Sequence, residues 1–205
     1  MKSMSVIYID RNIITDRYPN RIEDGDRFYT YGIGSMYARQ FKKFNKETHV
    51  ECWKADPRIK VTMEKDIQEV KHRVFPSLEI PLLGHYSKSM LRFYNHWRNI
   101  HYNTIYHFSC FDHLLFYSFA SKMDNVPLVV QHHGEGTAIY RASIRKGLKK
   151  LFWTMRIPIE RRCFKNIDLL YLLDKRLEEW LPQNAKNIEI KTSTTGADIS
   201  LFTPM

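Results

Sequence analysis

The chain has 205 residues, enough for one domain with a substantial core, and its 43% hydrophobic and 14% aromatic content excludes a disordered protein. No apolar run is long enough to span a bilayer, and the first ten residues lack the apolar stretch and cleavage site of a signal peptide. The net charge of +10 indicates an anionic partner, which leaves nucleic acid, anionic lipid and phosphate-bearing substrates open.

Short apolar, β-branched runs alternate with helical patterns along the whole chain. Strands alternating with helices predict an α/β fold, a Rossmann-like parallel sheet with helices on both faces, because parallel neighbours need crossover connections. The segment Arg58–Pro76 is left open between a strand pair and an irregular excursion. The predicted strands are Val6–Ile9, His49–Trp53, Thr104–Phe108, Leu128–Gln131, Leu169–Leu173 and Ile188–Thr192, and the predicted helices are Ser35–Phe44, Ser87–Ile100, His113–Met123, Arg141–Lys165 and Lys175–Leu181.

The cysteines indicate a reducing compartment. Cys52, Cys110 and Cys163 are odd in number, far apart and set among apolar residues. This pattern is typical of reduced thiols in a cytoplasmic protein and speaks against a disulfide framework or a zinc site.

A glycine turn precedes the first predicted long helix. Gly32 and Gly34 would let a ligand approach the backbone closely, and the free N–H groups at the start of the helix favour an anion. A turn needed only for packing explains the same residues, and the full dinucleotide fingerprint is missing. The turn is therefore a candidate phosphate site with a structural alternative.

Two further loops follow predicted strands at the edge where ligands bind. The loop after Leu128–Gln131 contains His132, His133, Gly134 and Glu135, and at most one of the adjacent histidines should face a cleft. We predict that His133 is the catalytic candidate; a structural histidine in a glycine turn is the alternative. The strand Thr104–Phe108 ends with further candidates for lining a cleft, which are His107 and Ser109.

The segment Arg141–Lys165 carries nine basic residues and a single acid, Glu160. Its apolar residues recur at helical spacing on one side, which is typical of a helix that rests on anionic lipid headgroups. Trp153 fits an interfacial anchor, although it could equally belong to the core. The alternative is a core-packed helix whose charged face is merely solvated. We also predict a bend or interruption near Pro158. The predicted anion patch consists of Arg145, Lys146, Lys149 and Lys150.

The last forty or so residues place Asp168 before a strand and end in Thr195-Gly196-Ala197-Asp198 followed by Phe202 and Pro204, with Glu160 just upstream. This arrangement resembles family 4 of the glycosyltransferases, whose members carry an acid, an Asp before a strand, and a later Asn-Gly-Val-Asp followed by Phe-x-Pro. Thr195 and Ala197 stand where Asn and Val are usual, whereas the remaining positions match. The matching residues of this terminal motif are Gly196, Asp198, Phe202 and Pro204.

The resemblance implies one half of the GT-B architecture. Residues 1–205 would form a single acceptor-side domain that ends at the interdomain linker, with the donor-binding domain absent. The family transfers sugar with retention from a nucleotide sugar and needs neither a metal nor a cofactor. Gly32 and Gly34 would approach the donor diphosphate and His133 would face the reacting sugar, with Gly134 and Glu135 in the acceptor cleft.

The expected partners are therefore a nucleotide sugar, a glycan or lipid-linked acceptor as in polysaccharide biosynthesis, and the inner face of the cell membrane as a peripheral attachment site; no nucleic acid is expected. Two alternatives stay open. One is a basic nucleic-acid-binding α/β domain, although no recognised nucleic-acid motif is present. The other is half of a different GT-B phosphate-sugar enzyme, because a fold does not fix a function.

Overall fold

The computed structural model describes residues 4–10, 25–80, 84–100, 104–108, 114–120, 126–132, 137–182, 185 and 188–192. Ten strands lie in these ranges, eight of them in one sheet and two in a short hairpin. The strands are β1 (Ser5–Ile9), β2 (His49–Asp56), β3 (Met63–Ile67), β4 (Val70–Pro76), β5 (Leu78–Ile80), β6 (Gly84–Tyr86), β7 (Thr104–Phe108), β8 (Leu128–His132), β9 (Leu169–Leu172) and β10 (Glu189–Thr192).

The large sheet has the order β10-β9-β8-β7-β1-β2-β4-β3, and every neighbouring pair is parallel except β3 and β4. On one side of β1 lie β2, β4 and β3, which come next in the chain, and on its other side lies β7, which comes later. The strand order therefore reverses between β1 and β7, which is the position where open α/β sheets bind ligands. All five residues of β1 are buried, as expected for a central strand covered on both faces.

Helices connect the strands and cover both faces of the sheet, as predicted. The helices are α1 (Asp26–Thr30), α2 (Ile33–Phe44), α3 (Lys88–Ile100), α4 (Leu114–Ala120), α5 (Ala138–Ile144) and α6 (Gly147–Phe164), followed by a 3-10 helix over Lys175–Trp180. One core lies under α2 and includes Val6, Tyr8 and Cys52. The larger core lies on the other face, where Trp53 and Tyr94 are fully buried.

The segment that the sequence left open forms the hairpin of β3 and β4. Gln68 and Glu69 make its two-residue turn with φ values of 52° and 61°, as a tight hairpin with the sheet's twist requires. Only β4 pairs with β2, so β3 becomes the exposed edge of the sheet.

The basic segment is divided into two helices, and the division is not at the proline. α5 ends at Ile144, and α6 starts at Gly147, whose φ of 57° is left-handed. Helix α6 then continues through Pro158 without a break. The predicted interruption at Pro158 is therefore wrong, whereas a bend at that residue stays a prediction.

The described cysteines are free thiols. Cys52 and Cys163 are buried, and burial raises the pKa of each to about 12. Both therefore stay protonated and unreactive near neutral pH. Cys110 lies outside the described residues.

A buried carboxylate on β2 predicts a specific loss of stability in acid. Glu51 accepts hydrogen bonds from Trp53 Nε1 at 2.6 Å, Arg73 Nε at 2.8 Å and His49 Nε2 at 2.9 Å. Burial alone would raise its pKa, but the bonds from His49, Arg73 and Trp53 outweigh burial and lower the pKa to about 2.

Because the folded pKa lies below the ordinary value of 4.5, this contribution to stability is complete above pH 4.5 and is lost as the pH falls through 2. We expect about 3 kcal/mol of unfolding free energy to disappear over that range through Glu51. Urea unfolding of wild type and Glu51→Gln across this range measures it, with the exposed Glu47→Gln as the control. Equal pH slopes for wild type and Glu51→Gln would contradict the prediction.

Candidate functional site

The carboxyl ends of β1 and β2 meet the start of α2 beside the point where the strand order reverses. Asp10 directly follows β1, and its backbone N–H donates to the Trp53 carbonyl at 2.9 Å, which places it level with Lys54. Gly32 is the residue before α2 and has a φ of 116°. The site therefore combines two strand ends and a helix N-terminus.

The Asp10 carboxylate caps α2 from outside the helix. Gly32 has no side chain that could accept from the first turn, and Asp10 Oδ2 instead accepts from the backbone N–H of Ser35 at 3.1 Å. A carboxylate at this position also interacts favourably with the positive end of the helix dipole. Asp10 is only 3% exposed, so this is a built-in buried cap.

Lys54 balances the buried charge of Asp10. Its Nζ lies 3.9 Å from Asp10 Oδ2 and also donates to the backbone carbonyl of Tyr31, just before the glycine turn. Lys54 is 2% exposed, so the pair lies in a poorly solvated site. A buried ammonium needs such partners because the desolvation cost of a lone ion is large.

The two glycines are required by Asp10 itself. A Cβ at Gly32 would lie 2.1 Å from Asp10 Oδ2, and one at Gly34 would lie 2.9 Å from Asp10 Cβ. The close approach predicted at this turn is therefore made by a carboxylate of the same chain. A role of Gly32 and Gly34 in binding the donor diphosphate stays a prediction, and a bulky substitution at either glycine would disturb Asp10 before it met any ligand.

The surroundings of this ion pair are electropositive. Burial, together with the positive charges of Lys54 and Arg39, lowers the pKa of His72 to about 3. Arg39 donates from Nε to the backbone carbonyl of Ser35 at 3.3 Å, within the first turns of α2. His72 is therefore neutral near pH 7, and the local charge comes from Lys54, Arg39 and Asp10.

The loop that was predicted to carry catalysis joins β8 to α5. His133, Gly134 and Glu135 lie outside the described residues, whereas both ends of their loop are described. On its far side, Thr137 Oγ1 donates to the Trp180 carbonyl at 2.7 Å. The described ends of the loop are thus the carboxyl end of β8 and Thr137, which is held by its bond to Trp180.

Glu160 holds the residue that follows Thr137. Both of its carboxylate oxygens accept from the backbone N–H of Ala138, at 3.0 and 2.9 Å, and the side chain is buried. The acid that the family resemblance selected is therefore a residue of α6 that positions the start of α5, immediately after the loop. Sequence reasoning found this residue through the motif but not its contact.

The other predicted cleft residues are only partly described. The backbone of His107 pairs in register with Tyr8 and Val129, so it lies in β7 close to the reversal of strand order. Ser109 lies outside the described residues. Asp168, which the family resemblance also selected, lies at the amino ends of β8 and β9. Its Oδ2 accepts a hydrogen bond from the N–H of Leu128 at 2.7 Å. Its role is thus to join two strands, and the terminal motif Gly196–Pro204 lies outside the described residues.

Asp10 and Lys54 are the residues that sequence reasoning missed. Each follows a correctly predicted strand by one residue, since the predicted strands ended at Ile9 and Trp53. A charged residue at the carboxyl end of a buried strand was the available signal. Among the described residues, no group of three acidic, histidine or cysteine side chains is placed to hold a metal ion.

The fold resembles that of a solved enzyme. The chain matches a sucrose-phosphate synthase from Thermosynechococcus elongatus with a TM-score of 0.50, over 97% of this chain and 92% of that chain, at 11% sequence identity. No protein-family model matches the sequence, and no curated protein matches it. The match confirms the predicted fold class, which is an α/β fold with a largely parallel sheet and helices on its faces.

Proposed function

We propose that this chain is the acceptor-side half of a GT-B glycosyltransferase related to family 4, which transfers sugar with retention from a nucleotide sugar to a glycan or lipid-linked acceptor. The observation that carries the proposal is the glycine turn before α2 at the reversal of strand order, in a chain whose fold matches a sucrose-phosphate synthase along nearly its whole length. The family resemblance of the sequence supports the finer assignment.

The electrostatics of the turn suit a reaction in which a diphosphate departs. Fixed N–H dipoles and buried cations stabilise developing negative charge without reorganising, which is a large contribution to catalysis. Here Lys54 is held by Asp10 and the Tyr31 carbonyl beside the first turn of α2, where the N–H of Ser35 is bonded to Asp10. In this proposal Asp10 is a positioning residue that keeps the turn and the lysine in place.

The loop between β8 and α5 would supply the group that faces the reacting sugar. His133 can donate a hydrogen bond or carry a positive charge beside phosphate. The Glu160 contact fixes Ala138 at the start of α5, just after this loop. The donor itself would be held mostly by a second domain, as the family resemblance implies.

The proposal is tested by comparing two proteins. The first is this 205-residue chain, and the second is the longest open reading frame that contains it. With UDP-, GDP- and ADP-linked sugars, we expect turnover by the longer protein and little or none by the chain alone, because one half supplies only part of the donor site. Release of the nucleoside diphosphate measures it.

Two outcomes would contradict the proposal. Turnover by the 205-residue chain at a rate typical of intact enzymes would refute its assignment as one half. Failure of the longer protein to bind any of these nucleotide sugars in calorimetry would refute the transferase function.

A further inference from the structure

Helix α6 exposes a continuous apolar stripe. Its four members on α6 recur at three- and four-residue spacing, so they lie on one side of that helix. Each is between 50% and 84% exposed, which is uncommon for a contiguous set of large apolar side chains. The stripe consists of Ile144 at the end of α5 and Leu148, Leu151, Met155 and Ile159 on α6. The alternative that these residues pack into the core is wrong.

The stripe faces solvent because the other side of α6 is packed against the domain. Arg156, Glu160, Cys163 and Phe164 are buried against the protein. Glu160 bonds to the start of α5, so the second half of α6 is fixed to the domain. The stripe therefore cannot turn inward without breaking these buried contacts.

Trp153 does not belong to the exposed stripe. The guanidinium of Arg141 lies 4.5 Å from its ring centroid and that of Arg156 lies 4.7 Å away. Such cation–π contacts hold the ring between α5 and α6. Trp153 is half-buried, so a role as interfacial anchor stays a prediction, and the proposal does not use it.

Basic side chains flank the stripe on both sides. Residues 143–151 are all exposed, so the end of α5 and the first turns of α6 project from the domain. Lys149 is about 100° around the helix from Leu148, and Lys150 is about 100° from Leu151 in the opposite sense. Arg145 and Lys146 lie in the exposed link just before α6.

The exposed surface of this segment carries no opposing charge. The single acid of residues 141–165 is Glu160, which is buried and bonded to Ala138. A nucleic acid would bind the lysines but would leave the apolar stripe in water. An anionic bilayer matches both the lysines and the apolar stripe, because apolar side chains enter the acyl boundary while lysines reach the headgroups.

We propose that the projecting end of α5 and α6 docks this protein on an anionic membrane surface, with Leu148, Leu151 and Met155 entering the lipid and Lys146, Lys149 and Lys150 binding the headgroups. This inference does not depend on the glycosyltransferase assignment. Within the described residues no helix is long and apolar enough to cross a membrane. Attachment through one amphipathic helix is superficial and reversible.

Vesicle co-sedimentation of the full 205-residue chain tests the lysines. We expect binding to vesicles of 70% phosphatidylcholine and 30% phosphatidylglycerol, weak binding to pure phosphatidylcholine, and loss of binding as salt rises. The triple variant Lys146→Glu, Lys149→Glu, Lys150→Glu should bind on the order of 100-fold more weakly. Its matched control changes Lys43, Lys46 and Lys60 to Glu, which alters the net charge equally elsewhere and should retain most of the binding.

The apolar stripe is tested separately. The variant Leu148→Ser, Leu151→Ser, Met155→Ser should bind the anionic vesicles at least about tenfold more weakly. The control changes three other exposed apolar residues, Phe44, Val61 and Leu78, to Ser, and should bind like wild type. Circular dichroism melting verifies that each variant is folded.

Three results would overturn the proposal. These are equal binding to neutral and anionic vesicles, equal losses in the matched controls, and full binding by the apolar-stripe variant. Tight binding of a single-stranded RNA oligonucleotide that needs the three lysines but not the stripe would assign the surface to nucleic acid instead. Each result distinguishes membrane docking from the transferase proposal, which is measured by turnover.

Discussion

Replacing His133 with alanine in the longer protein is expected to lower the turnover number about 100-fold to 10,000-fold, the usual range for a positioned acid–base group. The unfolding temperature should change little. The far end of the loop is held by Glu160 and by the Trp180 carbonyl, and neither contact involves the side chain of His133. A loss in the turnover number with a nearly constant KM would place the effect in the transition state.

His132 provides the matched control for this experiment. It is the last residue of β8, and at most one of the two adjacent histidines is expected from the sequence to face a cleft. His132→Ala should therefore retain turnover within about tenfold of wild type. Near-normal turnover of His133→Ala, or an equal loss for both histidines, would contradict the role proposed for His133.

Replacing Asp10 with alanine is expected to cost about 3–5 kcal/mol of unfolding free energy, as for other buried ion pairs that lose one partner. The change removes the acceptor of the Ser35 N–H and leaves the buried Lys54 ammonium with the Tyr31 carbonyl. It also leaves a void beside Gly32 and Gly34. Urea unfolding of the 205-residue chain measures the loss.

A double-mutant cycle separates the ion pair from the cap. Lys54→Met alone leaves a buried carboxylate, whereas Asp10→Ala with Lys54→Met removes both charges and should be less destabilising than the sum of the single changes. The control pair is Asp26 and Lys65, which lie 2.6 Å apart and are both exposed, so its removal should have little measurable effect. Additive losses at Asp10 and Lys54 would contradict a coupled buried pair.

This result bears directly on the glycine turn as a phosphate site. Because a Cβ at Gly32 or Gly34 would collide with Asp10, loss of activity on replacing either glycine would not by itself identify a phosphate contact. Nucleotide-sugar affinity of Asp10→Asn is more informative, since asparagine preserves size while removing the charge at the start of α2. This variant therefore distinguishes an effect on the cap of α2 from an effect on ligand binding.

The sequence determined the strands and their connections. All six predicted strands are present within a few residues, because a central parallel strand must be apolar on both faces and such runs are short and distinct. The hairpin of β3 and β4 was left open as one of two alternatives, because its strands mix charged and apolar residues without a clear period. The pairing of β4 with β2 joins residues about twenty positions apart, and the local sequence pattern does not predict which strands pair.

For the site, sequence by itself determined which loops follow strand ends, and hence selected Gly32, Gly34 and the loop of His133. It also selected Glu160 through a motif. The contact of Asp10 with the glycine turn was decided only by the tertiary structure, because it joins residues 25 positions apart in the chain. Loop lengths and residue types do not specify which side chain fills a turn.

Helix α6 shows most clearly what the sequence determined and what only the tertiary structure decided. Its periodicity established that the apolar residues share one side, but a helix has the same period whether that side faces the core or solvent. Only the tertiary structure decided that Arg156, Glu160 and Phe164 face the protein, which leaves Leu148 and Met155 exposed. The physical reason is that burial depends on what packs against a helix, and that is set by the rest of the fold.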